Sequence, residues 1–292
     1  MHSRQVYEIR IQRAATFITQ NLGEPLNLKQ VAQASYFSPY HFHRIFTSVL
    51  GETPQDFVRR VRLERAANLL LKSPSLTITD IALNCGFSSS ATFARSFKKH
   101  FGVTASEYAQ TGSREKSSRS RSPLSQAESA LPDPTLDVQV KPMPRLHLAY
   151  SANLKGYGLA EICRAWARIC RWASARDLIT PATKMVGISF DDPLITPPPK
   201  CRYYAGVTVP DELASDPMVG FLDIPAARCA VCRVTCRAEQ IERTYRVFYR
   251  DWLPDSGLQP ADHPCYEIYH ETPDTNLAGQ YVMDICIPVV PL

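Results

Sequence analysis

Residues 31–57, VAQASYFSPYHFHRIFTSVLGETPQDF, recur as residues 81–108, IALNCGFSSSATFARSFKKHFGVTASEY. Val31-Ala32 through Tyr36-Phe37-Ser38 matches Ile81-Ala82 through Gly86-Phe87-Ser88 at an offset of fifty. The offset then becomes fifty-one, aligning Phe42/Phe93, Arg44/Arg95, Phe46/Phe97, Gly51/Gly102, Thr53/Thr104 and Phe57/Tyr108. Each copy reads as a short helix, a tight turn and a second, amphipathic helix. In the first copy Phe42, Ile45, Phe46 and Val49 follow the i, i+3, i+4, i+7 spacing of a buried helical stripe; in the second, Phe93 and Phe97 do so, with Phe101 near the end. Between the copies, Pro54 to Leu71 reads as one longer helix with Phe57, Val61, Leu63, Leu69 and Leu70 apolar. The expected fold of this part is an all-α double helix-turn-helix.

At ~100° per residue, the faces opposite these stripes present Tyr40, His43, Arg44 and Thr47 in the first copy, and Ala91, Ala94, Arg95 and Lys98 in the second. Ser88, Ser89 and Ser90 can cap the second helix and leave its N-terminal amides near a phosphate. Arginine can bond guanine bidentately, a small side chain accepts a thymine methyl, and a hydroxyl serves either role. Charge agrees: residues 1–112 carry a net +6, 113–135 carry +1 and 136–292 carry −2. Basic charge confined to one segment suits a polyanionic partner for that segment. A single amphipathic helix would more simply be a solvated face, but two copies with matching arginines favour a DNA reader.

Residues ~5–110 resemble the DNA-binding domain of the AraC/XylS family. The motifs that carry the resemblance are Ser38-Pro-Tyr-His-Phe-His-Arg-Ile-Phe46, Gly51-Glu-Thr-Pro54, Arg62-Leu-Glu-Arg-Ala66, Ile81-Ala82, Cys85-Gly-Phe87 and Phe93-Ala-Arg-Ser-Phe97. The resemblance implies that both second helices enter successive major-groove segments of double-stranded DNA, and that RNA polymerase is a partner. Base-reading positions then fall on Tyr40, His43 and Arg44, and on Ser90, Ala91, Thr92, Ala94 and Arg95. Two readers in one chain let a monomer span both segments. The sequence departs from the family at Tyr36, where the first turn lacks the glycine present as Gly86, and at Ala91, where relatives often carry a longer polar residue.

The expected domains are 1–112, a flexible linker over 113–135, and 136–292. The linker is Ser/Arg-rich, Ser113-Arg-Glu-Lys-Ser-Ser-Arg-Ser-Arg-Ser-Pro123, and such composition buries too little apolar surface to order itself. Only four of the twenty-three prolines precede residue 113, so helices give way to strands punctuated by turns. In the last part Arg145–Asn153, Met185–Phe190 and Tyr203–Val209 read as strands around a helix at Leu159–Ala175. The order recurs as Cys229–Thr235, a helix over Glu239–Leu253, Tyr266–His270 and Tyr281–Pro288. Two β-α-β-β repeats with both helices on one face predict an α+β domain with a cleft between its halves.

Tyr157, Trp166, Phe190, Tyr203, Tyr204, Tyr245, Trp252, Tyr266 and Tyr269 are candidates to line that cleft, and strand alternation places Glu267 and Tyr269 on one face. A carboxylate beside aromatic rings can pair with a cation or accept hydrogen bonds. The pattern alone favours the plainer reading, core aromatics with Glu267 at a solvated strand edge. The segment resembles the GyrI-like effector-binding domain through Gly187-Ile-Ser-Phe-Asp-Asp-Pro193, Cys201-Arg-Tyr-Tyr-Ala-Gly-Val207, Trp252-Leu-Pro-Asp-Ser-Gly257, Tyr266-Glu-Ile-Tyr269 and Ile287-Pro288. That resemblance implies a small-molecule effector with Glu267 as the ligand-contacting glutamate; with the pattern it gives a small, largely apolar ligand, a cation being one option, with Tyr269, Tyr157, Trp166, Phe190, Tyr204 and Trp252 as its expected surroundings. Ala226-Ala227-Arg228-Cys229 and Thr235-Cys236 stand where relatives often have glycine and histidine.

No apolar run approaches the ~18 residues a membrane span needs, and the start is polar, so a cytoplasmic, nucleoid-associated protein without membrane contact is expected. Nine cysteines without scaffold spacing read as reduced thiols. Cys229, Cys232 and Cys236 lie on an alternating segment, so Cys229 points away from the other two and no metal site is expected. No cofactor and no catalytic residue is assigned: His147, His263 and His270 read as isolated, and no nucleophile triad is visible. The alternatives for the C-terminal domain are a hydrolase built on Glu267 and a cleft tyrosine, or a surface that binds a protein.

Overall fold

The computed structural model describes residues 3–73, 76–110, 133–193, 195–213 and 215–292; the expected linker lies outside these apart from its last three residues. The helical part runs α1 (Ser3–Gln20), α2 (Leu28–Ala34), α3 (Pro39–Leu50), α4 (Pro54–Lys72), α5 (Ile78–Asn84) and α6 (Ser90–Phe101). Helix starts are written in side chains that satisfy otherwise orphaned amides. Asn27 accepts from the Lys29 amide, Thr53 from Asp56 and Ser89 from Thr92, and Thr77 and Asp80 cap α5 reciprocally. Gly51 and Gly102 close α3 and α6 in the left-handed conformation.

The two copies build two cores joined by α4. Phe57 and Val61 pack with Phe42 and Phe46 and with Ile11, Ala14 and Ile18 of α1. One turn later, Leu63, Ala66 and Leu69 face the other way and pack with Ile81, Phe93 and Phe97. The sequence repeat survives as geometry: Phe46 meets Phe57 edge-on at 5.5 Å, and Phe97 meets Tyr108 edge-on at 5.4 Å.

The turn in each copy needs a left-handed residue. Gly86 has φ +79°, and a Cβ there would stand 2.3 Å from the Leu22 carbonyl oxygen and 2.7 Å from the Arg62 guanidinium. Tyr36 occupies the same conformation at φ +58°, so the first turn keeps its shape despite lacking glycine. Its ring lies under the Arg13 guanidinium at 5.1 Å, and Arg10 donates to its carbonyl at 3.1 Å.

The second part is an antiparallel sheet ordered β1-β6-β9-β8-β3-β4-β2-β5, with β7 paired to β9. Its strands are β1 (Val138–Met143), β2 (Leu146–Asn153), β3 (Met185–Ser189), β4 (Tyr203–Thr208), β5 (Gly220–Ile224), β6 (Ala227–Cys236), β7 (Leu258–Pro260), β8 (Cys265–Glu271) and β9 (Tyr281–Pro291). The two repeats are β2-α7-β3-β4, with α7 at Leu159–Ser174, and β6-α8-β8-β9, with α8 at Ala238–Val247. The helix expected over Glu239–Leu253 changes to π-type winding at Phe248–Trp252 before a final turn at Leu253–Asp255. Strands β1, β5 and β7 add to the expected repeats; β1 contains Lys141-Pro142 and the others are short, which hides them from an apolar pattern.

Connectivity forces the sheet to curl. β1 is one edge of the order, yet only Pro144 and Arg145 separate it from β2, near the other edge; Pro225 and Ala226 likewise join β5 to β6. Side chains from both ends accordingly share one inner cluster, with Leu146, Leu222 and Ile224 alongside Cys229 and Val231. Helices α7 and α8 cover the outer face.

Helix α1 meets the inner face through Thr16. The Thr16 hydroxyl gives its proton to the Gln12 carbonyl, so Tyr150 and Tyr204 both donate to it, at 2.6 and 2.8 Å, from rings stacked 4.6 Å apart. Arg202 pairs with Asp191 in a buried fork and reaches Thr19 at 2.6 Å, while Lys200 reaches Glu52 at 3.0 Å. Ile195, from the loop between β3 and β4, enters the second helical core.

Strain at the first turn can be isolated by comparing Tyr36→Gly with Tyr36→Ala, since both remove the ring and only one relieves the backbone. Urea unfolding should find the glycine variant more stable by ~1 kcal/mol. Equal stabilities would mean that the left-handed turn is unstrained.

Candidate functional site

Two surfaces carry candidate function. On the first, α3 turns Phe42 and Phe46 inward, which leaves His43 and Arg44 exposed and Thr47 half-buried, its hydroxyl bonded to the His43 carbonyl at 2.8 Å. Tyr40 belongs to α3, but its side chain lies outside what the structure describes. In α6, Phe93 and Phe97 are buried, and Ser90, Ala91, Ala94, Arg95 and Lys98 are exposed. Thr92 is half-buried and its hydroxyl lies 3.0 Å from that of the capping Ser89, so it helps to fix the helix start.

The second surface is a cleft between α7 and α8, above the strands where the two repeats meet. Glu267 of β8 stands opposite Gly187 of β3 and Ile285 of β9. Its side chain rises toward α8, where the Tyr245 hydroxyl donates to Oε1 at 2.6 Å. Two residues on, Tyr269 rises toward α7 and meets Trp166 edge-on at 5.4 Å, while Tyr281 packs against it at 5.7 Å. Tyr203 lies between, its hydroxyl accepting from the Trp166 indole at 3.1 Å and 3.4 Å from that of Tyr269. Gly187 makes this assembly possible: a Cβ there would stand 2.3 Å from the Tyr203 hydroxyl and 2.8 Å from Oε2 of Glu267. A lone glycine in a strand signals such a close approach, and it is the cleft residue that the aromatic pattern missed.

Glu267 is only 3% exposed, and its Oε2 has no hydrogen-bond partner among the described residues. Burial pushes its carboxyl up to about 7, against the smaller downward pull of the Tyr245 bond. Burial also drives the Tyr203, Tyr245 and Tyr269 phenols upward, and neighbouring Cys265 to about 11. Glu267 is therefore the group here that ionises near neutrality. A desolvated carboxylate with one free oxygen, walled by rings, suits an aromatic cation or a hydrogen-bond donor.

Three expected lining residues stand elsewhere. Tyr204 follows Tyr203 and so points to the inner face, against α1. Phe190 packs on Tyr204 at 4.5 Å within the same inner cluster. Trp252 falls in the π-wound turn, which swings it onto Phe248 at 4.9 Å in the core beneath α8. Tyr157 packs with the α7 side, its hydroxyl donating to the Asp191 carbonyl at 2.6 Å. Two histidines read as isolated have carboxylate partners: His147 Nδ1 lies 2.7 Å from Asp223, and His270 Nε2 lies 3.0 Å from Asp284. Cys229 joins the inner cluster, and among the described residues no three His, Cys, Asp or Glu side chains converge as a metal site. No described helix is long and apolar enough to cross a membrane.

Residues 137–290 match the GyrI-like small molecule binding domain, and residues 31–111 match a helix-turn-helix domain. Over 90 residues the chain is 41% identical to the probable transcription factor PqrA of Proteus vulgaris, covering 31% of this chain and 73% of that protein. It is 36% identical over 98 residues to the regulatory protein SoxS of Escherichia coli K12, covering 34% and 91% respectively. An AraC-type regulator structure from Chromobacterium violaceum is 30% identical with a TM-score of 0.34, covering 36% of this chain and 93% of that one.

The raised carboxyl has a thermodynamic signature. The native state holds the Glu267 proton more tightly than the unfolded chain, so this contribution is complete below the unfolded value of 4.5 and is lost as pH rises through about 7. Between pH 5 and 8, wild type should lose on the order of 3 kcal/mol relative to Glu267→Gln in denaturant unfolding. Parallel pH profiles would show that the carboxyl ionises at its ordinary value.

Proposed function

Because this chain belongs to the AraC/XylS family of DNA-binding transcription regulators and carries a GyrI-like small-molecule binding domain, we propose that it couples a two-helix DNA reader to a sensor of cationic, aromatic small molecules. The observation that carries the ligand class is the orphaned Oε2 of buried Glu267, set among Tyr203, Tyr245, Tyr269 and Trp166. An effector cation replaces the missing partner and stabilises the ionised carboxylate; the rings supply the apolar and π-face contact. The enclosed position of Glu267 favours a small molecule over a protein surface as the occupant.

On DNA, α3 and α6 enter successive major-groove segments, with His43 and Arg44 on one and Ala91, Ala94 and Arg95 on the other reading bases. Tyr40, Ser90, Thr92 and Lys98 complete the contacts, the last to phosphate. Ala91 offers only a methyl, so direct readout by α6 rests mainly on Arg95. One chain supplies both readers and acts as a monomer on its site, where it contacts RNA polymerase. The chain's relatives named above are regulators, and the cleft is read as a binding site without turnover.

Selection of bound sequences from random duplex DNA with the full chain tests the reader. Two short blocks about one helical turn apart are expected, and bulk, salt-sensitive binding without enrichment would refute it. On the selected site Arg95→Ala should cost ~1–3 kcal/mol and relax one base position. For the sensor, calorimetry with tetraphenylphosphonium should show affinity rising from pH 6 to 8 as Glu267 ionises, with Glu267→Gln weak and pH-independent; identical profiles would remove Glu267 from the site.

A further inference from the structure

The cleft is not walled by the sensor alone. Lys72, the last residue of α4 in the reader, holds its Nζ 5.5 Å from the centroid of the Tyr249 ring. Tyr249 lies one turn beyond Tyr245; burial raises both phenols, and neighbouring Cys265 adds to the rise of each. Burial raises the Cys265 thiol to about 11, and the Lys72 charge is close enough to oppose part of that rise. A contiguous row of side chains thus runs from Glu267 through Tyr245 and Cys265 to Tyr249 and Lys72. Leu69, Lys72 and Leu76 line a broad cavity that spans both faces of the sheet, taking in Phe190, Tyr204 and Arg202 as well as Tyr245, Tyr249 and Glu267, so it is the contact with Tyr249 that brings Lys72 to the cleft side. Two turns before the end of α4, Arg65 pairs with Asp262 in the loop between β7 and β8.

From this placement we infer that Lys72 belongs to the effector site as its resident cation, which a cationic aromatic effector displaces from the face of Tyr249. The inference rests on the proposed cationic class of the ligand. A ring face attracts one cation at a time, and two like charges at the mouth of a desolvated cleft repel across a poorly screening medium. The occupant and Lys72 therefore compete. Since Lys72 terminates the helix that joins both helix-turn-helix units, its expulsion reports occupancy directly to the reader. Only an effector with different affinity for the two positions of Lys72 shifts the regulator, and a cation meets that condition whereas a neutral analogue does not.

The experiment uses full-length wild type, Lys72→Met, Lys72→Arg and Glu267→Gln, titrated calorimetrically with tetraphenylphosphonium and with neutral triphenylphosphine oxide. Lys72→Met should bind the cation about tenfold more tightly than wild type and the neutral compound equally well; Lys72→Arg should return the wild-type ratio. In parallel, acylation of Lys72 in wild type, read by mass spectrometry, should speed up when the cation saturates the protein. If Glu267→Gln weakens the cation but Lys72→Met matches wild type, or Lys72 acylation does not change, the Lys72 inference falls and the cleft reading stands. Equal tightening for both compounds would mean that methionine merely makes room, and this also overturns it. If no variant binds the cation, or Glu267→Gln binds it as wild type does, the inference falls together with the cationic reading of the cleft.

Discussion

Consecutive side chains of a strand point to opposite faces, and in β4 that constraint ties the two halves of the molecule together. Tyr203 faces out, between Trp166 and Tyr269; Tyr204 faces in, against Thr16 of α1. Arg202, just before them, reaches Thr19 and is locked by Asp191, whose backbone in turn holds Tyr157. No rotation of β4 can move the cleft tyrosine without moving its inward neighbour. Close-packed interiors transmit such displacements instead of absorbing them, so the wall of the ligand site and the seat of the first helix move as one piece.

The charges at this junction fix geometry more than they add stability. Arg202 and Asp191 are both almost fully buried, as are Arg60 and Glu64, with Glu52 bridging Arg60 and Lys200. Removing such ions from water costs about as much as their attraction returns, whereas leaving one of them unpaired costs several kcal/mol more. The Arg202–Asp191 and Arg60–Glu64 pairs lie within single domains, whereas a shifted docking would break the Lys200–Glu52 pair and the Arg202–Thr19 hydrogen bond and leave the largely buried Glu52 with one cation fewer. Glu64 feels the limits of this pairing: burial lifts its carboxyl to about 7 despite Arg60 beside it, with Asp191 adding to the rise and Arg202 opposing it.

The sequence revealed most where each element has one partner. The phenylalanine stripes of α3 and α6 each face one core, and the strands of both repeats are short apolar runs buried on both faces and separated by turn residues, so the double helix-turn-helix and the two β-α-β-β units could be read directly. Helix α1 was not legible because it serves two partners: Ile11, Ala14 and Ile18 enter the helical core while Arg13, Thr16 and Thr19 turn to the sheet. A surface divided in this way has no single apolar stripe. Glu267 and Tyr269 were placed together by alternation, but adjacent Tyr203 and Tyr204 carry no mark of which face is which. Trp252 was misplaced because a π-wound turn shifts the angular position of every residue in it, and nothing in Phe248–Trp252 announces that change.

The curl of the sheet has a consequence for the solubility of the chain. An open sheet of this width would offer two long rows of unpaired amides and carbonyls, each a template for another chain. Here the two-residue joins bring β1 and β5 toward each other. The outermost strand at one side also carries Lys141 and Pro142, the latter without an amide to offer. The other margin, β5, is five residues long and displays Asp223, engaged by Arg145 and His147. A strand from a neighbouring molecule would meet charge, proline and too short a ladder to register on. The same two joins that shape the ligand-binding domain therefore protect it from fibrillar self-assembly.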